Sequence, residues 1–121
     1  MTRVLQLENL ETGTVENCFD DSALKSNDNF EFMEVGKEYG CKIELFGGFI
    51  ETKTDSSVEI KVINPEVTVG KKMMLEVQAD KDIYFIPRAK ADIINMKGRL
   101  FFDFTRKDLI QVDDVIHSDL L

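Results

Sequence analysis

The chain has 121 residues, 43% of them hydrophobic, and a formal net charge of −8. That apolar content supports one core and excludes disorder by composition, while the absence of any run of roughly 20 apolar residues excludes a membrane-spanning helix. An acidic whole disfavours general attraction to phosphate backbones.

The charge is unevenly placed. Residues 1–60 hold 13 acids and 5 bases, residues 61–121 hold 10 of each, and the stretch 71–107 has nine bases against five acids. The aromatic set is nine Phe and two Tyr with no Trp, and Phe lacks a polar handle, so most of these rings belong in a core. Glu8 and Glu11 interrupt any apolar stretch that a secretory leader would need, so the expected location is cytoplasmic. Cys18 and Cys41 lack metal spacing and read as reduced, partly buried thiols.

Along the chain, residues 2–8 and 13–19 read as short strands joined by a turn near Asn9–Gly13, and the polar stretch 22–29 as a loop. Alternation sharpens from Phe30. Tyr39, Cys41, Ile43 and Leu45 share one strand face, Lys42 and Glu44 the other, and Gly47-Gly48 marks a break or bulge. Residues 49–63 suggest a hairpin with its tip near Asp55-Ser56-Ser57, ended by Asn64-Pro65 because proline cannot donate to a ladder. Residues 72–86 read as a second hairpin turning at Asp80-Lys81-Asp82. The stretch 91–98 offers a marginal helical stripe ended by Gly98. Leu100, Phe102 and Phe104 face inward on a following strand. Leu109, Val112, Val115 and Ile116 then fall at helical spacing, predicting a C-terminal helical turn.

Twice a Val-Gly-Lys step opens an alternating strand, at Val35-Gly36-Lys37 and at Val69-Gly70-Lys71. Glycine supplies the backbone freedom such a turn needs. The first step, with Tyr39 two places after the Lys and alternation running into Gly47, resembles the opening strand of an OB-fold of the S1 type. The second resembles that fold's fourth strand and following turn. The resemblance covers about residues 30–90. It implies a small barrel, with Phe49 as the best match to a nucleic-acid-binding aromatic and Tyr84 and Phe85 behind it. The expected fold class is therefore all-β, with one or two short helices. A single domain spans 1–121, and an N-terminal β extension over 1–29 packs on an OB-like β-barrel over 30–121.

No catalytic pattern stands out. His117 is the only histidine; Asp113 and Asp114 would share its face on a helix, but one imidazole is a poor transition-metal site and the segment reads as a solvated polar terminus. No phosphate-binding glycine loop, nucleophile elbow or calcium loop occurs. No metal or cofactor is expected. The remaining constellation combines basic side chains with aromatics: Arg88, Lys90, Lys97, Arg99, Arg106 and Lys107 around Tyr84, Phe85, Phe101 and Phe104. Alternation places Arg99, Phe101 and Asp103 on one face, where bases would stack on an exposed Phe101 while cations follow phosphates.

Two functions from different classes follow. The first is a non-catalytic binding module that engages a basic protein partner through the acidic residues of 1–60, with charge speeding encounter. The alternative is single-stranded nucleic-acid binding through a barrel face formed by Phe49, Tyr84, Arg88, Arg99 and Phe101, against the net charge. No membrane partner is expected, and the oligomeric state is open. A short edge strand offers one route to pairing.

Overall fold

The computed structural model describes residues 3–20, 30, 32–50, 52–88 and 100–121. The expected loop at 22–29 and helix at 91–98 lie outside the described residues, as does Arg99. Among the described residues, eight strands form one sheet: β1 (Arg3–Glu8), β2 (Val15–Asp20), β3 (Cys41–Ile50), β4 (Ser57–Val69), β5 (Lys72–Ala79), β6 (Asp82–Pro87), β7 (Leu100–Val112) and β8 (Val115–Ile116). A 3-10 turn follows at Ser118–Leu120. The neighbour order β1-β2-β7-β3-β6-β5-β4, with β4 pairing back onto β7, closes five strands into a ring. The fold is thus an all-β, barrel-like structure. No helix among the described residues is long and apolar enough to cross a membrane.

β7 organises the ring. One of its edges pairs antiparallel with β3 along the strand, from Cys41↔Val112 to Ile50↔Phe101. Its other edge serves three partners in turn: β4 at residues 100–103, β2 at Asp108, and β8 at residues 111–112. β3 reaches β6 in parallel at Glu44↔Phe85, and β5 links β6 to β4 by antiparallel ladders.

The β5–β6 hairpin forms as its sequence predicts. Ala79 faces Asp82 across a two-residue turn, and Asp80 takes the positive φ of 57° that such a turn needs. Both Val-Gly-Lys steps also behave as turns, with Gly36 at φ 87° and Gly70 at φ 61°. A Cβ at Gly70 would collide with the Leu120 carbonyl, which accepts the Lys71 N–H at 2.5 Å.

Three expectations are corrected. β3 and β4 do not form a hairpin, because β7 lies between them and pairs with both. Asn64-Pro65 does not end a strand: β4 runs through it to Val69, and register shifts at 62–64 and 64–67 absorb the missing donor. The predicted C-terminal helical turn is instead the end of β7, a turn at Asp113-Asp114, and β8.

The barrel core holds Phe30, Leu45, Leu75, Ile86, Phe102 and Leu109, each essentially inaccessible. Burying a side chain of this size contributes roughly 1.5–3 kcal/mol. Leu5, Leu7 and Cys18 from the N-terminal hairpin pack against the same cluster. A second cluster lies outside the ring, with Val69, Met74, Phe85, Ile110 and Leu120 at its centre. Two clusters explain why β6 is apolar on both faces: Tyr84 and Ile86 belong to the first, Phe85 to the second.

Gly47 marks the tightest crossing. The β3–β7 register slips between Phe46 and Gly47. A Cβ at Gly47 would overlap the Asp103 carbonyl oxygen and sit 2.7 Å from Phe104 Cα.

Candidate functional site

The described residues of the expected nucleic-acid face, Phe49, Tyr84, Arg88 and Phe101, do not form one exposed surface. Phe101 retains 8% of its accessible area and Tyr84 5%, so neither ring offers a face for a base to stack on. Phe101 is covered because β7 is central here, paired with Ile50 on one side and Glu59 on the other. Phe49 is half-buried and packs edge-on against Phe102, with ring centroids 5.1 Å apart. Arg88 lies 4.0 Å from the Glu66 carboxylate.

Tyr84 has a different setting. Its hydroxyl donates to Glu16 Oε1 at 2.5 Å, and Lys107 Nζ donates to the same oxygen at 2.6 Å. The Lys107 ammonium also lies 5.1 Å from the Tyr84 ring centre and 5.4 Å from that of Phe104. Close by, Thr12 and Thr14 donate to the two oxygens of buried Asp82, at 2.7 and 2.8 Å. These bonds tie the β1–β2 hairpin to the barrel. They lie beside a groove of about 790 Å³ whose lining includes Thr14, Val58, Lys61, Asp82, Tyr84 and Lys107.

Burial, and then the hydrogen bond to Glu16, push the Tyr84 hydroxyl well above its usual range. Burial, and then the Glu16 charge, push the Cys18 thiol up to about 12. Burial also raises Cys41. Both cysteines are free. Each shift favours the protonated form, which suits packing and hydrogen bonding.

His117 is not a solvated terminus. It is 3% exposed, tilts against Phe30 with ring centroids 6.2 Å apart, and its Nδ1 accepts the Asp119 N–H at 3.0 Å. Among the described residues, no group of three or more His, Cys, Asp or Glu is placed to hold a metal ion.

A second surface went unnoticed in the sequence. The Glu34 carbonyl accepts the Lys37 N–H at 3.2 Å, closing a turn with Val35 at its tip and Gly36 in the left-handed region. Tyr39 braces this turn: its hydroxyl accepts the Glu34 N–H at 2.9 Å, and its ring meets Phe32 edge-on at 5.8 Å. The base is anchored to the β7–β8 turn, where Gly40 N–H donates to Asp113 Oδ1 and Asp113 N–H to the Gly40 carbonyl, both at 2.7 Å. Exposed Glu34, Lys37 and Glu38 thereby flank a fully exposed Val35 along the chain, and exposed Asp113 and Asp114 lie in the turn that anchors the base. Alternation did not disclose this patch because its acids come from segments more than 70 residues apart.

The chain matches no family among known proteins, no curated protein and no solved structure.

Proposed function

We propose that the protein is a non-catalytic binding module that engages a basic protein partner through an acidic surface, and that the braced turn at 32–40 is the centre of that surface. The observation that carries this reading is Val35. A β-branched apolar side chain stands fully exposed on a hydrogen-bonded turn that carries exposed Glu34 and Glu38, and the base of that turn is tied to exposed Asp113. An apolar anchor held rigidly loses little entropy on binding, and surrounding charge steers a basic partner toward it.

The test is affinity capture from a cell extract, at low and near-physiological salt, with wild type and with the Glu34→Lys/Glu38→Lys variant. Wild type is expected to capture a basic protein, with an association rate that falls as salt rises; the reversed variant loses it. Capture indifferent to both salt and reversal refutes the reading.

A second reading, single-stranded nucleic-acid binding, draws on the OB-like resemblance, the five-stranded ring and one exposed aromatic. Phe46 is 39% exposed, and the Arg106 guanidinium sits 4.1 Å from its ring centre. Asp108 engages that guanidinium at 2.8 Å, which lowers its pull on phosphate. Fluorescence anisotropy of labelled oligo-dT and oligo-U decides it: binding that survives near-physiological salt and is lost in Phe46→Ala would replace the protein-partner reading.

A further inference from the structure

β1 ends the sheet. Among the described residues it pairs with β2 alone, in an unbroken ladder from Arg3↔Asp20 to Glu8↔Val15. The direction of its peptide groups follows from the turn beyond. Asn9 N–H donates to the Thr14 carbonyl at 2.8 Å, so the Asn9 N–H points toward β2. Opposed residues in an antiparallel ladder alternate between bonded and non-bonded pairs. Leu7, Leu5 and Arg3 therefore bond to β2, and the N–H and C=O groups of Val4, Gln6 and Glu8 point away from it.

Among the described residues, several features that commonly protect an edge are missing here. β1 has no proline, no bulge and no charge between its terminal residues, and its Leu5 and Leu7 are only half-buried against the core.

We propose that β1 pairs antiparallel with β1 of a second copy of this chain, about a two-fold axis at Gln6. The strand is self-complementary in that register. Val4 faces the partner's Glu8, Gln6 faces Gln6, and Glu8 faces Val4, so all three outward-pointing residues form bonded pairs. Leu5 faces Leu7 twice on the inner side, continuing the apolar face that each copy leaves partly open. A two-fold pairing of this kind is closed and stops at two copies.

Neighbouring registers are poorer. Centring on Leu5 or on Leu7 leaves two bonded pairs within the strand rather than three. Centring on Leu7 also draws the two Glu8 carboxylates together, which a chain of charge −8 resists. The Gln6 register puts each Glu8 opposite a valine and opposes no like charges.

Sedimentation equilibrium over a concentration series tests this with wild type, Gln6→Ala and Gln6→Pro. Wild type reaches twice the monomer mass as concentration rises. Gln6→Ala keeps the outward N–H and still dimerises. Gln6→Pro removes that donor without touching the β2 ladder and remains a monomer with an unchanged circular dichroism spectrum. Amide hydrogen exchange on wild type provides a measurement independent of any variant. The Val4, Gln6 and Glu8 amides gain protection as concentration rises, while Leu5 and Leu7 are protected throughout. A wild type that stays monomeric, a Gln6→Pro chain that dimerises like wild type, or outward amides that exchange freely at every concentration overturns the proposal. None of these outcomes bears on the 32–40 turn, which is a separate surface.

Discussion

Gly47 and Gly48 are adjacent and chemically identical, yet substitution by alanine should separate them sharply. At Gly48 an added methyl meets nothing within 4 Å. At Gly47 it would overlap the Asp103 carbonyl and approach Phe104 Cα to 2.7 Å. Those atoms are backbone of the central strand and cannot swing aside as a side-chain tip would. Relief requires β3 and β7 to separate at the bulge, beside Phe49, Phe102 and Phe104. Overpacking in a tight core costs about 1–3 kcal/mol, and a rigid backbone obstacle sets Gly47→Ala at about 3 kcal/mol or more. Gly48→Ala should change stability by less than about 1 kcal/mol, and in the stabilising direction if its conformation suits alanine. Urea unfolding followed by far-ultraviolet circular dichroism measures both: the Gly47→Ala midpoint falls with little change in slope, while that of Gly48→Ala stays near wild type. Equal midpoints for the two variants would refute the close crossing of β3 over β7.

Two further perturbations address the seam between hairpin and barrel. Lys107→Met leaves the Glu16 carboxylate, 8% exposed at its side chain, without its cation and should cost about 3 kcal/mol in urea unfolding; adding Glu16→Gln should restore most of the loss. Cys18, with its pKa raised from 9.0 to about 12, and Tyr84, raised from its usual value, are both held protonated in the folded state. Their unfolded counterparts ionise first as pH rises. This stabilisation is therefore complete below pH 9 and drains away as pH climbs toward 12, which thermal unfolding across that range would show as a falling midpoint. A flat profile would contradict the burial of both groups.

What could be read in the sequence was local. The β5–β6 hairpin carries its own turn and alternation, and the two Val-Gly-Lys steps required a residue tolerant of positive φ. The inward set of β3 followed from Ile43 and Leu45. What could not be read depended on β7. Its polar run Thr105-Arg106-Lys107-Asp108 hides a strand of 13 residues, because Arg106 and Asp108 pair on the outside while Lys107 is held by Glu16. With β7 hidden, residues 49–63 looked like a self-contained hairpin. Leu109 and Ile110 are both buried, one in each apolar cluster, so period-two alternation fails and helical spacing takes its place. The candidate surface was less legible still. The Val35-Gly36-Lys37 step was visible as a turn, but Asp113 meets its base only through the Gly40 contact. Phe101 alternated as an exposed residue should, and β4 covered it.

The dependence of four other strands on β7 also sets the order in which the chain can fold. The β1–β2 and β5–β6 hairpins need only neighbouring residues and can form as they leave the ribosome. β3 has no antiparallel partner until β7 is made, although about 50 residues separate its end from the start of β7. Until then the long edge of β3 that β7 will cover stands open to other chains. Pairings of such long range close slowly, on the scale of milliseconds to seconds. The partly made chain should therefore be the species most prone to aggregate, and truncation before residue 100 should leave the β1–β2 hairpin and the β4–β5–β6 meander without a closed barrel.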